Sequence, residues 1–337
     1  MNKILNTIPT IVFLCLLSIG TAFSQSADDL KLMIPAGHNK YISELALSGD
    51  ERLLASMSDE GFKIWDVASG AELITVPIST ANGNMPFRIG NTPHIGMISR
   101  GVVSVLDGKT LKTRRVVDLT QFMTPVAVTT DLQGKFAYLG GHNYNGGKAV
   151  VVQINLATGA QKTLLEVAQS RTTLSNVSAS FPFAFQKLSL SPDGSKLSAS
   201  LSYYAGVADK IGYNVVFINT LSGQVEKQLD VPGNQTFIFL SNNRLAHFGA
   251  YFMKEGQGET DLKNSIPRLV SYPEMRVLKT LSTPTIAAYT AGNYGHTQIN
   301  SGDLSYANIL FNETFKRVVR IDFNKGEVNT EPIATTL

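Results

Sequence analysis

Cysteine is almost absent from this chain: of 337 residues only Cys15 is one, inside an apolar stretch near the amino terminus. A disulfide within the chain is therefore excluded, and beyond residue 25 there is neither a cysteine nucleophile nor a thiolate metal site. Tryptophan is as scarce, Trp65 standing alone. A surplus of one charge is missing too: 29 Lys and Arg face 26 Asp and Glu, a formal net charge of +3 spread without a long basic stripe. That argues against a nucleic-acid partner. After residue 25 no apolar run approaches the ~20 residues that a membrane-spanning helix needs. Helical periodicity is absent there as well.

What is present begins with Lys3, an apolar stretch from Ile8 to Ile19, and the small residues Gly20-Thr21-Ala22-Phe23-Ser24. This order predicts a secretory signal peptide over 1–24 and a mature region over 26–337, periplasmic or secreted. The apolar part is short for an anchor, and Leu14 before Cys15 disfavours a lipid anchor. Cleavage would remove both Lys3 and Cys15, leaving +2 and no thiol.

The rest is repetitive. Apolar strands run into Asp or Asn and then a polar turn at 63–70, 104–110, 152–159, 217–223 and 320–326, with a weaker copy at 269–274. A second element joins the first two strands of each unit: Ser48-Gly49-Asp50, 130–135, Ser191-Pro192-Asp193-Gly194, Ser241-Asn242-Asn243 and Ser301-Gly302-Asp303, with Asn91-Thr92-Pro93 departing from it. Asp, Asn and Gly serve at such places because they accept the left-handed backbone of tight hairpins. Two markers in phase, separated by short Val-, Ile-, Leu- and Phe-rich runs, predict an all-β chain. The units would begin near 37, 84, 121, 185, 233 and 285. Such units cannot bury both faces alone and must stack on their neighbours, as the blades of a single β-propeller do. Six or seven four-stranded antiparallel blades fit. Leu30 to Pro35 has the place of a ring-locking outer strand, yet 328–333 already supplies one to the last unit. Either a seventh blade lies within 160–185, or the ring closes differently, or the chain is part of a longer protein.

The first unit carries more. Gly37-His38 opens it, Asp59 precedes Trp65 by six residues, and Trp65-Asp66 ends its third strand. In these residues the chain resembles the WD-repeat β-propeller family; the other units keep only the strand and turn rhythm. The resemblance implies a buried hydrogen-bonded set of His38, Ser56 or Ser58, Asp59 and Trp65, with a structural role.

In a blade, the connections from second to third strand emerge on the same side as those between blades. The enlarged ones are 141–148, 203–213 and 251–266, together with the link 168–184, and they are expected side by side. They hold His142, Tyr144, Arg171, Tyr203, Tyr204, Tyr213, Tyr251 and Phe252. Aromatic side chains with a polar rim are what binding surfaces use. Phe181 and Phe183 are equally explained as entering the next core.

Catalytic signatures are missing. His38, His94, His142, His247 and His296 are dispersed without metal-ligand spacing, no Gly-x-Ser-x-Gly elbow occurs, and the Gly pairs at 140–141 and 146–147 lack the strand-to-helix setting of a phosphate loop. The sequence therefore predicts an exported, non-enzymatic, monomeric scaffold without metal or cofactor that binds a protein or surface glycan. The alternative is a propeller hydrolase, lactonase or lyase working at a channel mouth.

Overall fold

In a computed structural model, residues 38, 42–77, 84–120, 122–143, 148–168, 184–204, 211–231, 235–249, 268–281, 296–298, 306–310, 317–322 and 327–332 are described. The chain divides into the unit Ile34–Pro332 and a second made of Met1–Met33 with Ile333–Leu337, which lies outside the described residues, as does the predicted leader.

The turn residues fix the strands. In the third turn of sheets 1 to 4 an Asx side chain accepts from the amides two or three residues on: Asp66 Oδ1 from Ser69 N at 2.8 Å, Asp107 Oδ1 from Thr110 N at 2.8 Å, Asn155 Oδ1 from Ala157 N at 2.9 Å, and Asn219 Oδ1 from Ser222 N at 3.1 Å; in sheet 5 Ser271 Oγ accepts from Arg276 N at 3.1 Å. The chain then closes with a left-handed residue: Gly70, Gly159 and Gly223 in three copies, but Leu111 at φ 55° and Met275 at φ 61° in two others. Glycine takes this backbone freely. Leu111 and Met275 offset the strain by packing their side chains against the cores. The first turns use the same device, Ser48 Oγ donating to Asp50 Oδ1 and Ser191 Oγ to Asp193 Oδ1, each at 2.6 Å.

These turns delimit six four-stranded antiparallel sheets, each in sequence order. Sheet 1 holds β1 (Ile42–Leu47), β2 (Leu53–Ser58), β3 (Gly61–Asp66) and β4 (Glu72–Val76). Sheet 2 holds β5 (Met85–Arg88), β6 (Ile95–Ser99), β7 (Val102–Leu106) and β8 (Thr113–Asp118). Sheet 3 holds β9 (Thr124–Thr130), β10 (Phe136–Asn143), β11 (Lys148–Asn155) and β12 (Gln161–Ala168). Sheet 4 holds β13 (Ala184–Leu190), β14 (Lys196–Tyr204), β15 (Ile211–Asn219) and β16 (Val225–Val231). Sheet 5 holds β17 (Gln235–Ser241), β18 (Arg244–Gly249), β19 (Arg268–Ser271) and β20 (Val277–Thr280). Sheet 6 holds β21 (His296–Gln298), β22 (Tyr306–Leu310), β23 (Arg317–Asp322) and β24 (Glu327–Pro332). All-β architecture is as the sequence predicts, and β24 is the last sheet's own outer strand. Leu30 to Pro35 and most of the region proposed for a seventh blade, 169–183, lie outside the described residues.

The cores lie between sheets. Phe62 and Ile64 pack with Ile95, Met97 and Leu106 of sheet 2. Ile98, Val103 and Val105 pack with Leu139, Val150 and Val152 of sheet 3. Tyr138 and Val151 pack with Phe185, Leu197 and Val216 of sheet 4. Phe217 packs with Phe237, Phe239 and Tyr272 of sheet 5. Sheets 2, 3 and 4 thus each bury one face on the sheet before and the other on the sheet after, which is why neither of their faces alternates cleanly with polar residues. The first strands meet in sequence, β1 with β5, β5 with β9, β9 with β13 and β13 with β17, and β1 also meets β21.

A repeated clamp closes the outer seams. Arg114 Nη2 of β8 donates to Leu156 O at 2.9 Å, Lys162 Nζ of β12 to Leu221 O at 2.6 Å, and Lys227 Nζ of β16 to Pro273 O at 2.8 Å. In each case a cation near the start of an outer strand reaches the third turn of the next sheet. Sheet 1 has Ile74 at this place, packed against the core it shares with sheet 2.

Candidate functional site

Antiparallel order puts the first and third turns of every sheet at one end and the second turns and sheet-to-sheet links at the other. Cross-sheet bonds bring like ends together: Gly49 N to Thr92 O at 2.6 Å, Asn91 N to Leu132 O at 2.8 Å, and Asp193 N to Asn242 Oδ1 at 3.2 Å join first turns of neighbouring sheets. At this end the Ser and Asx side chains of the turns are consumed locally. Asp66 lies below the usual carboxylate range because the Ser69 hydroxyl and amide donate to it, and Asp107 because the amides of Thr110 and Lys109 do. Carboxylates held this way are poor proton donors near neutral pH.

The opposite end differs from sheet to sheet. Sheets 1 and 2 turn tightly, over 59–60 and 100–101, whereas sheets 3, 4 and 5 leave 144–147, 205–210 and 250–267 between their second and third strands. The enlarged connections start from strand ends of one kind, as the sequence predicts. Tyr144, Arg171, Tyr251 and Phe252 lie outside the described residues.

Three expectations need correction. His142 is not a loop residue: it is buried in β10, opposite Ala149 of β11, and burial lowers its pKa, so the ring is neutral. Tyr203 and Tyr204 belong to β14 and Tyr213 to β15, with Tyr203 opposite Gly212 and Tyr213 opposite both Ser202 and Val231. The strands run further than turn chemistry implies because alternation continues through Ser200-Leu201-Ser202-Tyr203, so only 205–210 separates them. Asp59 is exposed in the β2–β3 turn and stands outside the set assigned to it.

The rest of that set is present. Trp65 Nε1 donates to Ser56 Oγ at 2.7 Å, and His38 lies between two hydroxyls, with Nε2 2.7 Å from Ser56 Oγ and Nδ1 2.8 Å from Ser58 Oγ. Ser58 Oγ also accepts from Glu60 N at 3.1 Å, and Glu60 Oε2 is 3.8 Å from Nδ1. One consistent proton assignment has Ser56 donating to Nε2 and Nδ1–H donating to Ser58. Burial and then Lys63 lower the His38 pKa, keeping the ring neutral. A hydroxyl, an imidazole and a carboxylate in sequence has the form of a nucleophilic triad. Ser56 is 1% exposed, however, and its oxygen already receives the indole N–H, so the group joins strands.

A second polar set, which the sequence reading missed, runs along the seam between sheets 4 and 5, with Gln235 and His247 at the enlarged end. His247 Nε2 is 2.9 Å from Gln235 Oε1, and its ring stacks on Phe237 with centroids 4.4 Å apart. Ser200 Oγ donates to Gln235 O at 2.7 Å and Ser198 Oγ to Phe237 O at 2.6 Å, while Phe239 N donates to Ser189 Oγ at 2.9 Å. Serines of sheet 4 thereby satisfy the edge of β17. Burial, with a smaller contribution from Arg268, lowers the His247 pKa to about 4. The available signal was the alternation Ser198, Ser200, Ser202: hydroxyls where a buried strand would carry aliphatics. Among the described residues no three His, Asp or Glu side chains are grouped to hold a metal ion.

No protein-family model matches the chain, and no curated protein does. A solved structure of hydrazine synthase from Kuenenia stuttgartiensis is similar, with a TM-score of 0.58 and 15% identity over 87% of this chain and 81% of that one. At this identity the likeness carries the fold alone.

Proposed function

We propose that this β-propeller, closed at one end by self-capped turns and enlarged at the other on sheets 3 to 5, is an exported, non-enzymatic scaffold, and that the enlarged end of sheets 3, 4 and 5 binds a protein or cell-surface glycan. The supporting observation is the contrast between the two ends. At the closed end Asp50, Asp66, Asp107, Asp131 and Asp193 are bonded to their own turns, and the imidazoles His142 and His247 of sheets 3 and 5 are buried and neutral. Binding scaffolds confine variation to loops at one end of a rigid framework. The degenerate WD-like repeat and the leader over 1–24 belong to the same reading. The test is the double substitution Tyr203→Ala with Tyr213→Ala, read by capture from an envelope fraction and by thermal melting. Weakened capture with melting nearly unchanged supports the proposal; lost melting temperature with intact capture identifies the tyrosines as packing residues and refutes it.

A further inference from the structure

The six sheets are six copies of one design, so each outer hairpin can be compared with the other five. Five carry acids or both signs: Asp66 and Glu72 in sheet 1; Lys162 and Glu166 in sheet 3; Glu226, Lys227 and Asp230 in sheet 4; Glu274, Arg276 and Lys279 in sheet 5; Asp322, Lys325, Glu327 and Glu331 in sheet 6. Sheet 2 departs from them in its balance. Counted alike, from the turn position of Asp66 and its counterparts to the end of the outer strand, Asp107 to Asp118 hold Lys109, Lys112, Arg114 and Arg115 against two acids, a net +2, whereas sheets 1, 3, 4, 5 and 6 come to −2, 0, −1, +1 and −2. The whole chain is +3, and this hairpin supplies +2 of it.

All four cations are exposed. The flanking acids are occupied: Asp107 Oδ1 caps its own turn, and Asp118 receives the Thr120 hydroxyl and amide and pairs with Arg115. Arg114 spends one nitrogen on Leu156 O and keeps its charge. Guarding an outer edge needs charge of either sign, and the other copies show mixed or acidic sets doing so. A surplus of cations on one edge, Lys109, Lys112 and Arg114 beyond the Arg115–Asp118 pair, repels itself, so it asks for a further reason.

The chemistry narrows the partner. The hairpin has no aromatic residue on which a base or a sugar ring stacks, and it is an outward-facing turn and edge strand. Point cations on such a projection suit a broad sheet of phosphates. We propose that the β7–β8 hairpin of sheet 2 is an electrostatic docking surface for an anionic phospholipid membrane, contacted by Lys109, Lys112, Arg114 and Arg115. This contact is peripheral and reversible, and it uses the end of the sheets away from the enlarged connections. It therefore stands apart from the proposed function and survives that proposal's failure.

The purified protein is sedimented with vesicles of phosphatidylcholine and with vesicles of equal parts phosphatidylcholine and phosphatidylglycerol. Binding is expected only to the second, and it should fall steeply as salt shortens the screening length. Lys109→Gln with Lys112→Gln, at side chains outside every ion pair of the described residues, should weaken it about thirtyfold, at roughly fivefold per cation. Lys109→Arg with Lys112→Arg should restore it. A matched control, Lys148→Gln in sheet 3, should leave it unchanged. Equal binding to both vesicles, indifference of the lysine pair, or retention by a soluble acidic polysaccharide without binding to vesicles would each overturn the proposal.

Discussion

Replacing His247 by glutamine removes the titratable ring from the seam between sheets 4 and 5, and the pH dependence of stability should respond in a calculable way. In the folded protein His247 has a pKa of about 4, against 6.5 when free. Between those values the unfolded chain binds the extra proton and the folded one does not, so stability is fully present above pH 6.5 and is lost as pH falls towards 4. With those two constants the loss from this group between pH 7.5 and pH 5 is about 2 kcal/mol, rising to about 3 kcal/mol at pH 4. His38 and His142 are also lowered and act in the same direction, but they are common to parent and variant. Urea unfolding at pH 7.5 and pH 5 therefore isolates His247. Whatever the substitution costs in hydrogen bonding and in stacking on Phe237 is subtracted as the pH-independent part. The variant should lose about 2 kcal/mol less than the parent between the two pH values. Equal losses would mean that His247 is solvated in the folded state, and the buried Ser200–Gln235–His247 chain would be refuted.

Ser56→Ala should cost about 1–3 kcal/mol in denaturant unfolding, because it strands the buried Trp65 indole N–H and one imidazole nitrogen of His38; Asp59→Ala, at an exposed turn, should stay within about 0.5 kcal/mol. Phe217→Ala should cost about 3–5 kcal/mol, since that ring is fully buried among Phe237, Phe239 and Tyr272. Gly49→Ala should destabilise by about 1–3 kcal/mol in thermal melting, because a Cβ there would stand 2.3 Å from the backbone of Asn91 and Thr92. Lys162→Ala and Lys227→Ala should each cost about 1 kcal/mol or less while raising amide exchange in the 219–223 and 271–275 turns; unchanged exchange there would dismiss the clamp.

Strand count and turn positions were legible in the sequence because Asx and Gly residues recur wherever the backbone itself requires them, as at Asp66, Asp107, Asn155 and Asn219. Strand length past those turns was less legible. His142 and Tyr203 read as loop residues because polar and aromatic side chains near Gly resemble a connection, while the pairing that keeps them in β10 and β14 is set by strands distant in sequence. The His38, Ser56 and Trp65 set was readable through its spacing, but Asp59 was not: the hydroxyl of Ser58 meets the imidazole nitrogen for which a carboxylate was expected. The Ser189, Ser198, Ser200 and Gln235 seam required knowing which sheet faces which, and no local pattern carries that. The seam clamps of Arg114, Lys162 and Lys227 were hidden for the same reason, although all three stand near the start of an outer strand.

The most direct test of the binding account is to shorten the enlarged end itself. Replacing 205–210 and 250–267 with tight turns like that at 59–60 leaves every described strand in place. Capture of a partner from the envelope fraction should then be lost while the melting curve stays cooperative. A shortened protein that still captures the same partner would contradict the claim that this end does the binding.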